Sequence, residues 1–170
     1  MLILIESGLR VGEITRLDRS TIQVVINTSA DGSEVSLGKG EVVVSKQASF
    51  RSFWIGSDSV TAVAEYLAKD RAEDAEPALF VTKRGKRVTT KAVSSAVARW
   101  CSIAGIEPIM CYQFRHTMAL QLANAGVSCH EMAKLLGYSN PKCTIRFIGD
   151  SSVHPSPGIF RRLLGFLKGK

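Results

Sequence analysis

The sequence predicts an α+β fold, mainly helical, with a small three-stranded antiparallel sheet at one edge. Three observations carry this expectation. Apolar residues recur at helical spacing before and after residues 21–55, within which lie short runs rich in Val and Ile separated by turn residues. A chain of 170 residues suits one domain. With 45% apolar and 22% charged residues it can bury a sizeable core, unlike a disordered or fibrous chain.

Taken in order, Leu2 to Ser7 reads as the end of a helix stopped by Gly8, and Val11–Leu17 as a short second helix. The strand-like runs are Thr21–Asn27, Glu41–Lys46 and Arg51–Ile55, with turns at Ser29–Ser33 and Gln47–Ser49. Ser57–Arg71 has helical periodicity, with Val60, Val63, Ala64 and Leu67 on one face. A short strand, Leu79–Thr82, leads to the basic turn Lys83-Arg84-Gly85-Lys86-Arg87. Thr89 or Thr90 can cap a helix running to Ala104, with Gly105 as its stop. A helix over about Gln113–Ala125 ends at Gly126, and Ser128 with Glu131 forms a capping box for another, to Leu136. Asn140-Pro141 opens a further helix, and Pro157–Leu167 forms a last, amphipathic one. Leu122, Ala125, Val127, Trp54 and Trp100 are expected in the core.

Composition narrows the function classes. No apolar run reaches the length of a membrane span, and the apolar start has neither the basic region nor the cleavage site of a secretory signal, so a cytoplasmic protein is expected. Four cysteines, at 101, 111, 129 and 143, form no C-x-x-C pair, and none of the three histidines stands at zinc spacing from them. They are expected to be reduced thiols. The net charge of +7 favours a polyanionic partner, either nucleic acid or an anionic surface.

Three segments carry chemistry. Glu6-Ser-Gly-Leu-Arg10-Val-Gly-Glu13 sets an arginine just beyond a helix stop. Tyr112-Gln-Phe-Arg115-His116 opens a helix with a second arginine. Leu135-Leu-Gly-Tyr138 follows, with Arg146-Phe147 beyond it. A planar guanidinium can grip two non-bridging phosphate oxygens, so a pair of arginines suits phosphoryl transfer.

In order and spacing, these segments resemble the tyrosine recombinases of the phage integrase family, over nearly the whole chain. Members carry a Gly-Leu-Arg-x-x-Glu segment, a His-x-Leu-Arg-His segment, and a Leu-Gly-His segment followed by the nucleophilic tyrosine. The resemblance implies the recombinase catalytic domain, with its N-terminal core-binding domain and the first part of the catalytic domain missing here. It implies a double-stranded DNA partner, self-association as a tetramer on paired sites, and no metal or other cofactor.

Residue by residue, Arg10 and Arg115 resemble the family's phosphate clamp, Glu13 the acid that orients the first arginine, and His116 a supporting histidine. Tyr112 occupies the slot usually held by an acid–base histidine, and a phenol is a poorer base than imidazole at neutral pH. Lys46, ahead of Arg51, resembles the hairpin lysine that protonates the departing 5′ oxygen, with Lys39 as the competing choice. Tyr138 fills the slot of a histidine or tryptophan that hydrogen-bonds the phosphate. Nine residues later, where the family has its nucleophile, stands Phe147. Phenylalanine has no oxygen with which to attack phosphorus, so the chain is expected to bind DNA without cutting it. Phe147 is either an engineered change or natural to an inactive relative. Lys83, Arg84, Lys86, Arg87, Lys91 and Arg99 are the expected contacts to backbone phosphates.

Overall fold

The three Val- and Ile-rich runs do form one sheet. A computed structural model describes residues 1–28, 34–44, 49–71 and 76–140. Lys46, Phe147, Cys143, the helix expected from Pro141 and the C-terminal amphipathic segment lie outside them. The chain divides into two compact units, one of Met1–Val11 with Thr90–Lys170, the other of Gly12–Thr89.

The second unit holds the sheet, in the order β1 (Ile22–Thr28), β2 (Glu34–Val44), β3 (Ser49–Ile55), antiparallel throughout. β2 starts well before the expected Glu41, because Leu37 pairs with Val25 of β1. Gly38 and Gly40, which read as breakers, sit inside the strand for a steric reason. A methyl group added at Gly40 would lie 2.5 Å from the Phe53 ring, and one at Gly38 would lie 2.5 Å from Ile55. The glycines make room for the two large residues of β3. Arg51, Phe53 and Ile55 alternate onto this same buried face. Trp54 therefore points the other way. It is 43% exposed, with the Lys39 ammonium 5.7 Å from its ring, and is not the core residue expected.

After β3, α3 (Ser57–Glu65) passes into a π-helical turn, Tyr66–Asp70. Within α3, Ala64, expected on the apolar face, lies exposed, and Ser59 is the buried residue. Tyr66 accepts a hydrogen bond from the Val81 amide at 3.2 Å. Leu79–Thr82 forms no strand. It makes only the isolated bridges Asp18↔Ala78 and Val81↔Arg87, because the chain turns back at once, with the Thr82 amide donating to the Lys86 carbonyl.

Two buried arginines hold this unit. Arg71 donates to the carbonyls of Glu76 (2.6 Å) and Ala78 (3.0 Å). Arg51 makes an ion pair with Glu13 at 2.7 Å, both side chains 4% exposed. Glu13 lies in α2 (Val11–Ile14), which is shorter than expected and unwinds through single-turn bonds at Arg16 and Leu17.

The first unit is helical among its described residues: α1 (Leu2–Ser7), α4 (Thr90–Ile103), α5 (Cys111–Asn124) and α6 (Cys129–Leu136). α1 packs on α5, and α5 on α6. Val97 and Cys101, one turn apart, are the buried positions of α4, and Met132, Ala133 and Leu136 those of α6. The expected box caps α6: Ser128 Oγ accepts from the Glu131 amide, and Ser128 donates to the Glu131 carboxylate. Those bonds hold the Glu131 carboxyl below its ordinary range. Ala125, expected in the core, is exposed just beyond the end of α5, where the chain turns into Gly126. The described cysteines 101, 111 and 129 form no disulfide with one another. No described helix is long and apolar enough to cross a membrane.

The Arg51–Glu13 pair generates a stability prediction. Replacing Glu13 by Ala strands a buried guanidinium and should cost about 3–5 kcal/mol in urea unfolding. Joint replacement, Glu13→Leu with Arg51→Met, should cost clearly less than the sum of the two single changes.

Candidate functional site

The buried stripe of α5 consists of Cys111, Phe114, Arg115 and Ala119. Three of these are apolar and the fourth carries a full charge, which a buried site tolerates only with good partners. Arg115 is 4% exposed and is held by three neutral acceptors. Its Nη1 donates to the Gly8 carbonyl at 2.8 Å, its Nη2 to the Leu136 carbonyl, and its Nε to the Tyr138 hydroxyl at 3.1 Å. Gly8 and Leu136 lie at the C-terminal ends of α1 and α6, where carbonyls lack intrahelical partners and the helix dipole favours a cation. These three acceptors are neutral, and they orient the guanidinium fork.

Arg10 comes to the same place from the segment after α1. Its Nη2 donates to the Gly137 carbonyl at 2.9 Å. Its guanidinium carbon is 5.9 Å from the Tyr138 ring centroid, and that of Arg115 is 4.5 Å from it. Two arginines more than a hundred positions apart in the chain thus share one aromatic ring and the end of one helix. Arg10 is half-buried and Arg115 fully so. A phosphate-sized anion could be gripped here through charge-assisted hydrogen bonds, which are shorter and stronger than neutral ones.

Tyr112 is 46% exposed on the first turn of α5, and the edge of its ring meets His116, centroids 5.0 Å apart. Glu13 belongs to the other unit, where its ion pair is with Arg51. Lys83, Arg84 and Lys86 lie on a turn closed by the Gly85 amide donating to the Thr82 carbonyl, with Lys83, Arg84 and Lys86 all open to solvent. Arg87, grouped with them by sequence, is differently engaged. It donates to the carbonyls of Thr15 and Leu17 and pairs with Asp18 (2.5 Å) and Glu76 (3.3 Å). Lys91 and Arg99 are exposed along α4, with Arg99 lying 5.7 Å over the Trp100 ring. Lys39, the rival to Lys46, stands on β2 beside Trp54.

The sequence did not disclose the part played by Arg51 or by the three carbonyls. Arg51 had a legible signal, a charge alternating with Phe53 and Ile55 on an inward strand face. The carbonyls had none, because backbone acceptors carry no side-chain signature.

The family model described as Phage integrase family matches residues 1–152. The chain belongs to the phage integrase family. Among curated relatives, the tyrosine recombinase XerC of Pelobacter propionicus is 31% identical over 145 residues, covering 85% of this chain and 44% of the relative. That of Corynebacterium efficiens is 28% identical over 150 residues, covering 84% and 42%. The chain therefore spans less than half the length of these family members. Among solved structures, XerA recombinase superposes with a TM-score of 0.72 at 20% identity, covering 99% of this chain and 57% of that one. XerH site-specific recombinase, in a post-cleavage complex with its palindromic difH substrate, gives 0.69 at 16% identity, covering 85% and 39%. The Tn1549 transposon integrase bound to transposon right-end DNA gives 0.63 at 19%, covering 98% and 57%. The helices and three-stranded sheet of this chain have the fold of these recombinases.

The unequal burial of the two arginines predicts a split in stability. Arg115→Ala, losing three acceptors in a buried site, should lower the unfolding free energy by about 3 kcal/mol, and Arg10→Ala by about 1 kcal/mol. Arg115→Lys should not rescue the loss, because an ammonium cannot span two helix ends as the guanidinium fork does. Urea titration of the three variants measures this.

Proposed function

We propose that this chain is the catalytic domain of a site-specific DNA recombinase, whose site binds one phosphodiester of double-stranded DNA and, with Phe147 in the nucleophile slot, stops at binding. The observation that carries this reading is the convergence of Arg10 and Arg115 on Tyr138. The three residues hold the slots at which the family places its phosphate contacts. In this reading both guanidiniums hold the non-bridging oxygens, and the Tyr138 hydroxyl, which accepts from Arg115, has its own proton to donate to the phosphate. Tyr112, its ring against His116, is proposed as a second phenolic donor to the phosphate. Glu13, whose carboxylate pairs with Arg51, is kept as the supporting acid of the site. Lys83, Arg84, Lys86, Lys91 and Arg99 contact flanking phosphates. Arg87, with four protein acceptors, is a weaker candidate.

A tyrosine at 147 would complete the chemistry. Its phenolic oxygen would attack phosphorus, the P–O5′ bond would break, and Lys46 would give the departing 5′ oxygen its proton. The 3′-phosphotyrosyl bond would conserve the energy of the broken phosphodiester, so religation by a 5′ hydroxyl would need neither metal nor nucleotide. The proposed assembly is the family's tetramer on paired sites, and the proposed process is integration, excision or resolution of a mobile element.

The test is covalent capture on nicked suicide duplexes taken from the flanks of the chain's own locus, in its full-length context. Phe147→Tyr is expected to yield protein–DNA adducts that survive denaturing gels, and the parent chain none. Specific binding by both, with an adduct from neither, would instead indicate a natural DNA-binding relative that has lost more of its machinery than one oxygen.

A further inference from the structure

We infer that Gly8 and Gly137 are positioning residues for the arginine pair, because the helix-end carbonyls they shape set where both guanidiniums sit. The inference rests on the phosphodiester-binding reading of Arg10 and Arg115. It assigns a role to backbone groups rather than to side chains.

α1 ends on Gly8 at φ 59°, ψ 22°, and α6 ends on Gly137 at φ 64°, ψ 47°. Both are left-handed conformations that strain most residues with a Cβ, Asn among the least. A helix end of this kind turns its last carbonyls outward, free to accept from a group outside the helix. Here those groups are the arginines. The Gly8 carbonyl takes Arg115 Nη1, the Leu136 carbonyl takes Arg115 Nη2, and the Gly137 carbonyl takes Arg10 Nη2.

Arg115 therefore bridges two helix ends with the two arms of one rigid fork. The separation of the ends fixes the plane of the guanidinium. Side chains of α5 and α6 crowd Gly8: a Cβ there would lie 2.8 Å from Leu136 Cδ2 and 3.3 Å from Met118 Cγ. A side chain at position 8 would have to displace the buried Leu136 side chain, on the residue whose carbonyl holds Arg115 Nη2, and would strain the backbone whose carbonyl holds Nη1. A side chain at position 137 would turn the carbonyl that holds Arg10. In each case the arginine survives and its aim is lost.

The test uses the full chain, a fluorescent duplex of mixed sequence as probe, and the variants Gly8→Ala, Gly137→Ala, Gly137→Asn and Arg10→Gln. The readouts are Tm and the slope of log affinity against log salt, whose steepness falls by about 0.9 for each phosphate the protein no longer neutralises. Arg10→Gln and Gly137→Ala are each expected to make the slope shallower by the equivalent of a single phosphate, and Gly8→Ala to do so similarly. Gly137→Asn, which tolerates the left-handed conformation, is expected to restore the parent slope. Folded glycine variants that keep the parent slope, beside an Arg10→Gln variant with a shallower one, would overturn the inference. A parent slope in Arg10→Gln would count against the phosphate-binding reading itself. An arm independent of both DNA and variant folding is arginine side-chain NMR on the parent chain. Slowed Cζ–Nη rotation and protected Nη protons are expected for both arginines, and freely averaged signals for both would overturn the inference.

Discussion

A guanidinium buried in the helical unit must find acceptors inside it, and much of the candidate site follows from how Arg115 does so. Burying an unpartnered charge would cost more than a domain can spare. Arg115 meets the requirement with two helix-end carbonyls and a phenol. Those acceptors lie on segments far from α5 in sequence, so satisfying one side chain brings α1, α5 and α6 into a single arrangement. Tyr138 is drawn onto the guanidinium by its hydroxyl, and Arg10 reaches the same ring while held by the Gly137 carbonyl. The pairing of two arginines thus comes out of ordinary capping physics: helix C-termini attract cations, and here two such termini gather two of them.

The sheet-bearing unit solves the same problem by another route. Arg51 is carried inward by strand alternation and is neutralised by a carboxylate, Glu13. Arg71 and Arg87 are taken up largely by carbonyls and carboxylates of turns. The net charge alone does not say which cations face a ligand, because several of the arginines are structural. Lys83, Arg84 and Lys86 remain on the surface of this unit.

The parts of the fold legible in sequence were those with a strong local code. Helix stops at Gly8, Gly105 and Gly126, the Ser128–Glu131 box and the three Val- and Ile-rich runs all lie within a few residues of where they act. Features set by distant partners were not legible. β2 runs through two glycines because Phe53 and Ile55 need the space. Leu79–Thr82 has strand composition but finds only single-residue bridges. Trp54 reads as core by residue type and faces outward by parity with its neighbours. In the site, Arg10, Arg115 and Tyr138 could be picked out from the spacing of three segments. That Glu13 would pair with Arg51 depends on where β3 lies, which the local sequence around Glu13 does not encode.

The central claim is that Arg10 and Arg115 form one anion site. A crystal structure of the chain bound to a short duplex tests it most directly. The account predicts a single phosphate with its non-bridging oxygens within hydrogen-bond reach of both guanidiniums, and the Tyr138 hydroxyl beside them. A complex in which DNA lies elsewhere on the surface, with both arginines holding only the carbonyls of Gly8, Leu136 and Gly137, would contradict it.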